Sequence, residues 1–169
     1  MEDSIEIVPV TDKTIGEALS LVHRIFPHPS EEEDPDLWFK MSLEPENYSE
    51  QMRENGARDV RYFVAVDKKT NKVVGTTGLY HLNEDPPGTI WLGWYCVDPE
   101  FRRRGIGRSI LQWTIDKARS EGESTLRLYT PPEEDVDAQI VYDKFGFETT
   151  GTEQKAGYSI AYKQLKLHV

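Results

Sequence analysis

Between Ile90 and Leu111 the chain passes from an apolar, strand-type run through a proline turn and a basic, glycine-spaced loop into an amphipathic helix. The core of that segment reads Val97-Asp98-Pro99-Glu100-Phe101-Arg102-Arg103-Arg104-Gly105-Ile106-Gly107-Arg108-Ser109-Ile110-Leu111. This order aims backbone N–H groups, the positive end of a helix dipole and several arginines at one point. A phosphate or pyrophosphate is the ligand that such a point suits. Gly105 and Gly107 let the backbone approach the anion with no Cβ in the way. The plain alternative is an ordinary strand–turn–helix connection carrying a solvated arginine cluster.

Spacing separates this loop from other phosphate loops. A dinucleotide fingerprint needs a third glycine where Ile110 stands, and no Gly-Lys-Ser/Thr run of P-loop spacing occurs. Around the loop, the chain has the pattern of a mixed α/β unit without repeats. Ile5–Val10 alternates as a first strand, and Thr11 or Asp12 caps a helix with Ile15, Ala18, Leu19, Val22, Ile25 and Phe26 on one face. Pro27-His28-Pro29 stops it. The acidic run from Glu31 to Asp36 is a solvated loop or a helix start, Leu37–Met41 begins a second helix, and Pro45–Asn55 has room for another. Three strands follow in a row, Arg61–Asp67, Lys72–His81 and Thr89–Val97. Then come a helix over Gly105–Gly122, a strand over Thr125–Thr130, a helix over Asp135–Phe145 and strands over Phe147–Gly151 and Tyr158–Leu167.

Composition narrows the class. A chain of 169 residues with 37% hydrophobic and 11% aromatic content is expected to form a single domain, 1–169, with a real core. A formal net charge of −10 argues against tight binding to nucleic acid or to an anionic membrane. The single cysteine, Cys96, gives no intrachain disulfide and fits a reducing compartment. No long apolar run or signal-like segment appears, so a cytoplasmic location is expected.

The loop resembles the acetyl-CoA-binding signature of the GNAT superfamily of N-acetyltransferases, Gln/Arg-x-x-Gly-x-Gly/Ala, with Arg102, Gly105 and Gly107 on its fixed positions. A second segment, Ala138-Gln-Ile-Val-Tyr142-Asp-Lys-Phe-Gly146-Phe147, is similar to that family's Ala-x-x-x-Tyr-Glu-Lys-x-Gly-Phe. The two lie in the right order, one helix and one strand apart. The resemblance implies an α/β fold with a central twisted mixed sheet of about seven strands flanked by helices. Strands four and five would splay around acetyl-CoA, the co-substrate, with no metal. Pyrophosphate would lie on Arg102, Arg103, Arg104, Gly105, Ile106, Gly107, Arg108 and Ser109. The backbone of Tyr95, Cys96 and Val97 would pair with the pantetheine amides, and Tyr142 would donate a proton to the departing thiolate. Asp135 stands where the family usually has an asparagine on the cofactor arm, and an ionised carboxylate donates no hydrogen bond.

Other residues are less tightly specified. Cys96 has no His or Lys nearby to activate it, so a buried packing role is expected. An alkyl amine must lose a proton before it attacks, yet Ile90–Val97 holds no acid, and Leu126–Thr130 offers Arg127 and Tyr129 instead. Glu84, Asp85, His81 or a water chain are the remaining bases. Trp91 and Trp94 would fall on opposite faces unless a bulge intervenes, and such a bulge is a habit of the family. The expected activity is acetyl transfer to a primary amine, a small molecule ahead of a peptide, by a monomer or homodimer. A silent acetyl-CoA-binding module is the alternative.

Overall fold

The computed structural model describes residues 4–26, 34–102, 104–133 and 136–167. Pro27-His28-Pro29, Glu31–Glu33, Arg103 and Asp135 lie outside the described residues. Seven strands form one sheet in the order β1-β2-β3-β4-β5-β7-β6. They are β1 (Ile5–Pro9), β2 (Ala57–Asp67), β3 (Lys72–Leu82), β4 (Thr89–Val97), β5 (Thr125–Thr130), β6 (Glu148–Lys155) and β7 (Tyr158–Lys166). Only β4 and β5 run parallel; the other pairs are antiparallel. The helices are α1 (Ile15–Ile25), α2 (Pro35–Leu43), α3 (Ser49–Glu54), α4 (Ile106–Ser120) and α5 (Val136–Phe145).

Alternation along the central strands sorts their side chains onto two helical layers. On one face Tyr62, Tyr80, Trp91 and Cys96 pack with Ala18, Leu21 and Val22 of α1 and Phe39 and Met41 of α2. On the other, Leu79, Ile90, Leu92, Leu126 and Leu128 pack with Leu111, Ile115 and Ala118 of α4 and Tyr142 of α5.

Three of the boundaries that differ from the sequence expectation have a plain physical cause. Helix α1 starts at Ile15 rather than just after Thr11 or Asp12, because Thr11 and Thr14 close a turn: Thr11 N donates to Thr14 Oγ1 at 2.9 Å, and Ile15 N to Thr11 O at 2.9 Å. Strand β2 starts at Ala57, four residues before Arg61, because a bulge between Arg58 and Arg61, with Asp59 at φ 52°, breaks the alternation. Strand β6 runs on to Lys155, and its residues are almost all exposed, so it carries no apolar pattern to read. The acidic run does supply a helix start: Asp34 caps α2 by accepting from Asp36 N at 3.0 Å, with Pro35 at the first helical position.

What positions the site is the parting of β4 from β5. Their ladder holds only Thr89↔Thr125, Ile90↔Leu126 and Trp91↔Arg127, although β4 continues to Val97 and β5 to Thr130. Opposite β3, Thr76 faces Cys96 but Gly78 faces Gly93, so β4 carries one extra residue there. That extra residue is taken up at Trp94, a non-glycine residue at φ 38°. A bulge bends a strand and increases its twist, and here it turns β4 away from its parallel neighbour. It also brings Trp94 onto the same layer as Trp91.

Candidate active site

The first helical hydrogen bond of α4 runs from Ser109 N to Gly105 O at 3.0 Å. The N–H groups of Ile106, Gly107 and Arg108 therefore precede the helical ladder. Gly105 at φ 77° is the N-cap and supplies no side-chain cap, and the first turn holds no acid. Exposed Arg102 and Arg104 flank this end; Arg104 lies over the Phe101 ring at 5.1 Å, and Arg102 Nη1 is 3.6 Å from Asp137 Oδ2 on α5. An uncapped, acid-free helix start flanked by arginines offers an anion both positive charge and N–H donors.

The two glycines do different work. Gly105 needs the left-handed conformation, with open space where a Cβ would be. A Cβ on Gly107 would stand 3.0 Å from Tyr95 Oη and 3.4 Å from Val97 Cγ2. Gly107 thus serves a close approach of α4 to β4, where the Tyr95 hydroxyl donates to Gly107 O at 2.7 Å. Packing against β4 is thus a second reason for a glycine at this position. The buried Asp98 has a structural task as well. It accepts from Glu100 N at 3.0 Å and lies 3.4 Å from Arg24 Nη2 and 3.6 Å from Lys72 Nζ, fixing the turn that launches the loop.

Tyr95 joins the predicted pieces. Its ring lies 6.0 Å from that of Tyr142, which is 4% exposed and meets Phe147 edge-on at 5.7 Å. The helix start, the released edge of β4 and the α5 tyrosine therefore meet through one side chain. Val97 packs with Ile106 and Ile110, and Ile106 is itself buried, so these two hold the loop from beneath. Cys96 is buried with its Sγ 3.2 Å from Thr76 Oγ1, as expected of a packing residue. Arg108 is exposed and Ser109 half-buried.

The candidate bases separate by place. His81 packs on the α4 side at the hairpin end of β3, three residues or about 10 Å beyond Gly78. Its Nε2 is 2.7 Å from Glu123 Oε1, while Nδ1 is sealed without a hydrogen bond, Asp59 Oδ2 lying 3.4 Å away and off line. Glu84 is exposed. Asp85 lies on the other layer, where Trp91 Nε1 donates to it at 2.6 Å and Arg127 Nη1 approaches at 3.4 Å. Beside it, Trp91, Arg127, Thr150, Tyr162, Lys163 and Gln164 line a cavity of about 300 Å³. Sequence reading missed the cavity and Tyr62, whose phenol crosses the sheet to β4. No group of metal-binding side chains occurs among the described residues, and no described helix is long and apolar enough to cross a membrane.

No curated protein matches this chain. Solved structures do. A GCN5-related N-acetyltransferase from Kribbella flavida superposes with a TM-score of 0.72 at 20% identity, over 99% of this chain and 100% of that one. The ribosomal-protein-S5-alanine acetyltransferase of Vibrio fischeri gives 0.71 at 21% identity, over 97% of this chain and 93% of that one. A GNAT-family acetyltransferase of Staphylococcus aureus Mu50 gives 0.70 at 20%, over 97% and 99%. At such identities these likenesses establish the fold, and the family is established by a model of the acetyltransferase (GNAT) family matching residues 18–147. With both signature segments inside that match, the chain belongs to the GNAT family of acetyltransferases.

Proposed function

We propose that the protein transfers the acetyl group of acetyl-CoA to a primary amine by direct attack on the thioester. The observation that carries this reading is the Tyr95–Gly107 hydrogen bond, which sets an uncapped, arginine-ringed helix start directly against the stretch of β4 that β5 has released. An anion anchor continuous with a free strand edge suits an elongated ligand with a pyrophosphate at one end and amides along its arm. Ile106, Gly107 and Arg108 would hold the pyrophosphate through their N–H groups, with Arg102 and Arg104 beside them. The edge from Tyr95 to Val97 would hold the arm. Acetyl-CoA, when bound, supplies an activated acyl group on a thiolate leaving group.

The chain's own contribution is mostly positional. As the amine nitrogen bonds to the carbonyl carbon and the C–S bond breaks, the Tyr142 phenol gives its proton to the sulfur. The proton lost by the amine leaves toward Asp85 through water. Asp85 bonds Trp91, two residues or about 7 Å along β4 from Gly93, too far for direct contact. A small amine is favoured as acceptor because the pocket beside Trp91 and Arg127, walled on one side by Tyr162, Lys163 and Gln164 of β7, has a volume of only about 300 Å³.

CoA release should be followed with polyamines, amino acids and N-terminal peptides as acceptors. The expected result is turnover of at least one small amine, rising with pH as the amine deprotonates. Tight acetyl-CoA binding with no amine used would make the protein a binding module instead.

A further inference from the structure

The largest fully buried side chain left unused by that mechanism is Tyr62 on β2, which is 1% exposed and stacks on Phe39 at 4.4 Å between ring centroids. Its phenol lies across the sheet. Tyr62 is paired with Gly78 on β3, and Gly78 with Gly93 on β4. A Cβ at Gly78 would overlap the Tyr62 ring, and a Cβ at Gly93 would overlap its hydroxyl. Two glycines on successive strands thus form a slot that carries the hydroxyl to β4. It arrives at the residue before Trp94, where the bulge lies and β5 has already parted from β4.

No described residue hydrogen-bonds this hydroxyl, although a buried tyrosine usually finds a partner. Among the described residues, His81 Nδ1 is the only sealed polar side-chain atom without one. Tyr62 is only 1% exposed, and its oxygen lies against Gly93, one residue before the bulge and beyond the last β4–β5 pair at Trp91. Burial first, and the neighbouring Tyr129 second, hold the phenol's pKa well above its ordinary value, so it remains a protonated donor at every working pH.

We propose that the Tyr62 hydroxyl is a catalytic donor that hydrogen-bonds the thioester carbonyl oxygen and the oxyanion formed when the amine attacks. The proposal rests on the acetyl-transfer reading above. Attack forms the C–N bond and moves the C=O π pair onto oxygen, where Tyr62 meets the charge. Collapse restores C=O and breaks C–S, with Tyr62 keeping its proton and Tyr142 protonating the sulfur. A fixed donor is most useful where charge develops during reaction.

Tyr62→Phe retains the ring, the stack on Phe39 and the glycine slot, so the fold should persist by circular dichroism. With an amine that the wild type uses, kcat should fall on the order of 10²-fold while KM for the amine stays unchanged. Independently of turnover, calorimetry should show the preference for acetyl-CoA over CoA shrinking several-fold, since only acetyl-CoA carries the carbonyl. A purely structural tyrosine would not move that ratio. Wild-type protein that binds no acetyl-CoA would overturn the acetyl-transfer reading and this proposal together. Wild-type activity matched by the variant in both kcat and the affinity ratio would overturn this proposal alone. A raised amine KM at unchanged kcat would also overturn it, by placing the hydroxyl on the acceptor.

Discussion

Tyr142 and Tyr62 approach β4 from opposite layers of the sheet, one packed beside Tyr95 and the other laid across Gly78 and Gly93. Their chemistry differs accordingly: Tyr142 would give up a proton and Tyr62 would only lend one. Replacing Tyr142 with Phe keeps the contacts to Tyr95 and Phe147 and removes the donor. Acetyl-CoA affinity should hardly change, while kcat falls by about 10²-fold, the low end for general acid catalysis because a CoA thiolate already leaves readily. Pre-steady-state kinetics under conditions where chemistry limits the rate is the measurement. Unchanged turnover there would reduce Tyr142 to a packing residue. Of the two proposed donors, Tyr142 could be put forward from the sequence because its spacing before Gly146-Phe147 is local. Tyr62 could not, because nothing within β2 says that glycines stand opposite it on two further strands.

Among the elements, the junction of α4 with β4 decides the site. Gly105 and Gly107 predict different behaviour there. Gly105→Ala places a side chain in open space but in a left-handed conformation at φ 77°, a strain of about 1 kcal/mol. Gly107→Ala crowds Tyr95 Oη at 3.0 Å and should disturb its bond to Gly107 O, with a loss of about 1–2 kcal/mol from overpacking. In a Tyr95→Phe background the oxygen is gone, so most of the Gly107→Ala loss should disappear. Urea unfolding of the four proteins in a double-mutant cycle measures this coupling, and strictly additive losses would show that the two residues are independent. The boundaries of β4 and β5 were legible because both are apolar, β-prone runs closed by turn residues. The start of β2 and the length of β6 were not. A bulge hides the alternation of the first, and an exposed edge strand such as the second has no buried face to pattern it.

For the molecule as a whole, a ligand that binds only the folded state raises its stability by mass action. Acetyl-CoA at one hundred times its Kd adds about 2.7 kcal/mol, which for a chain of 169 residues corresponds to a Tm higher by about 5–10 °C. Differential scanning calorimetry with and without the compound checks this, and an unmoved Tm at saturating concentration would contradict the anchor built on Ile106, Gly107 and Arg108. The sequence by itself determined the family, the order of the elements and the glycine-spaced, arginine-flanked start of α4, because each rests on residues close together along the chain. Tertiary structure alone decided three things. It packed Gly107 against β4, set His81 on the α4 layer and Asp85 on the layer of Trp91, and carried a β2 phenol to the β4 bulge. Each depends on strand register and on which face a side chain takes. A single extra residue at Trp94 resets both, and only the assembled sheet fixes where it falls.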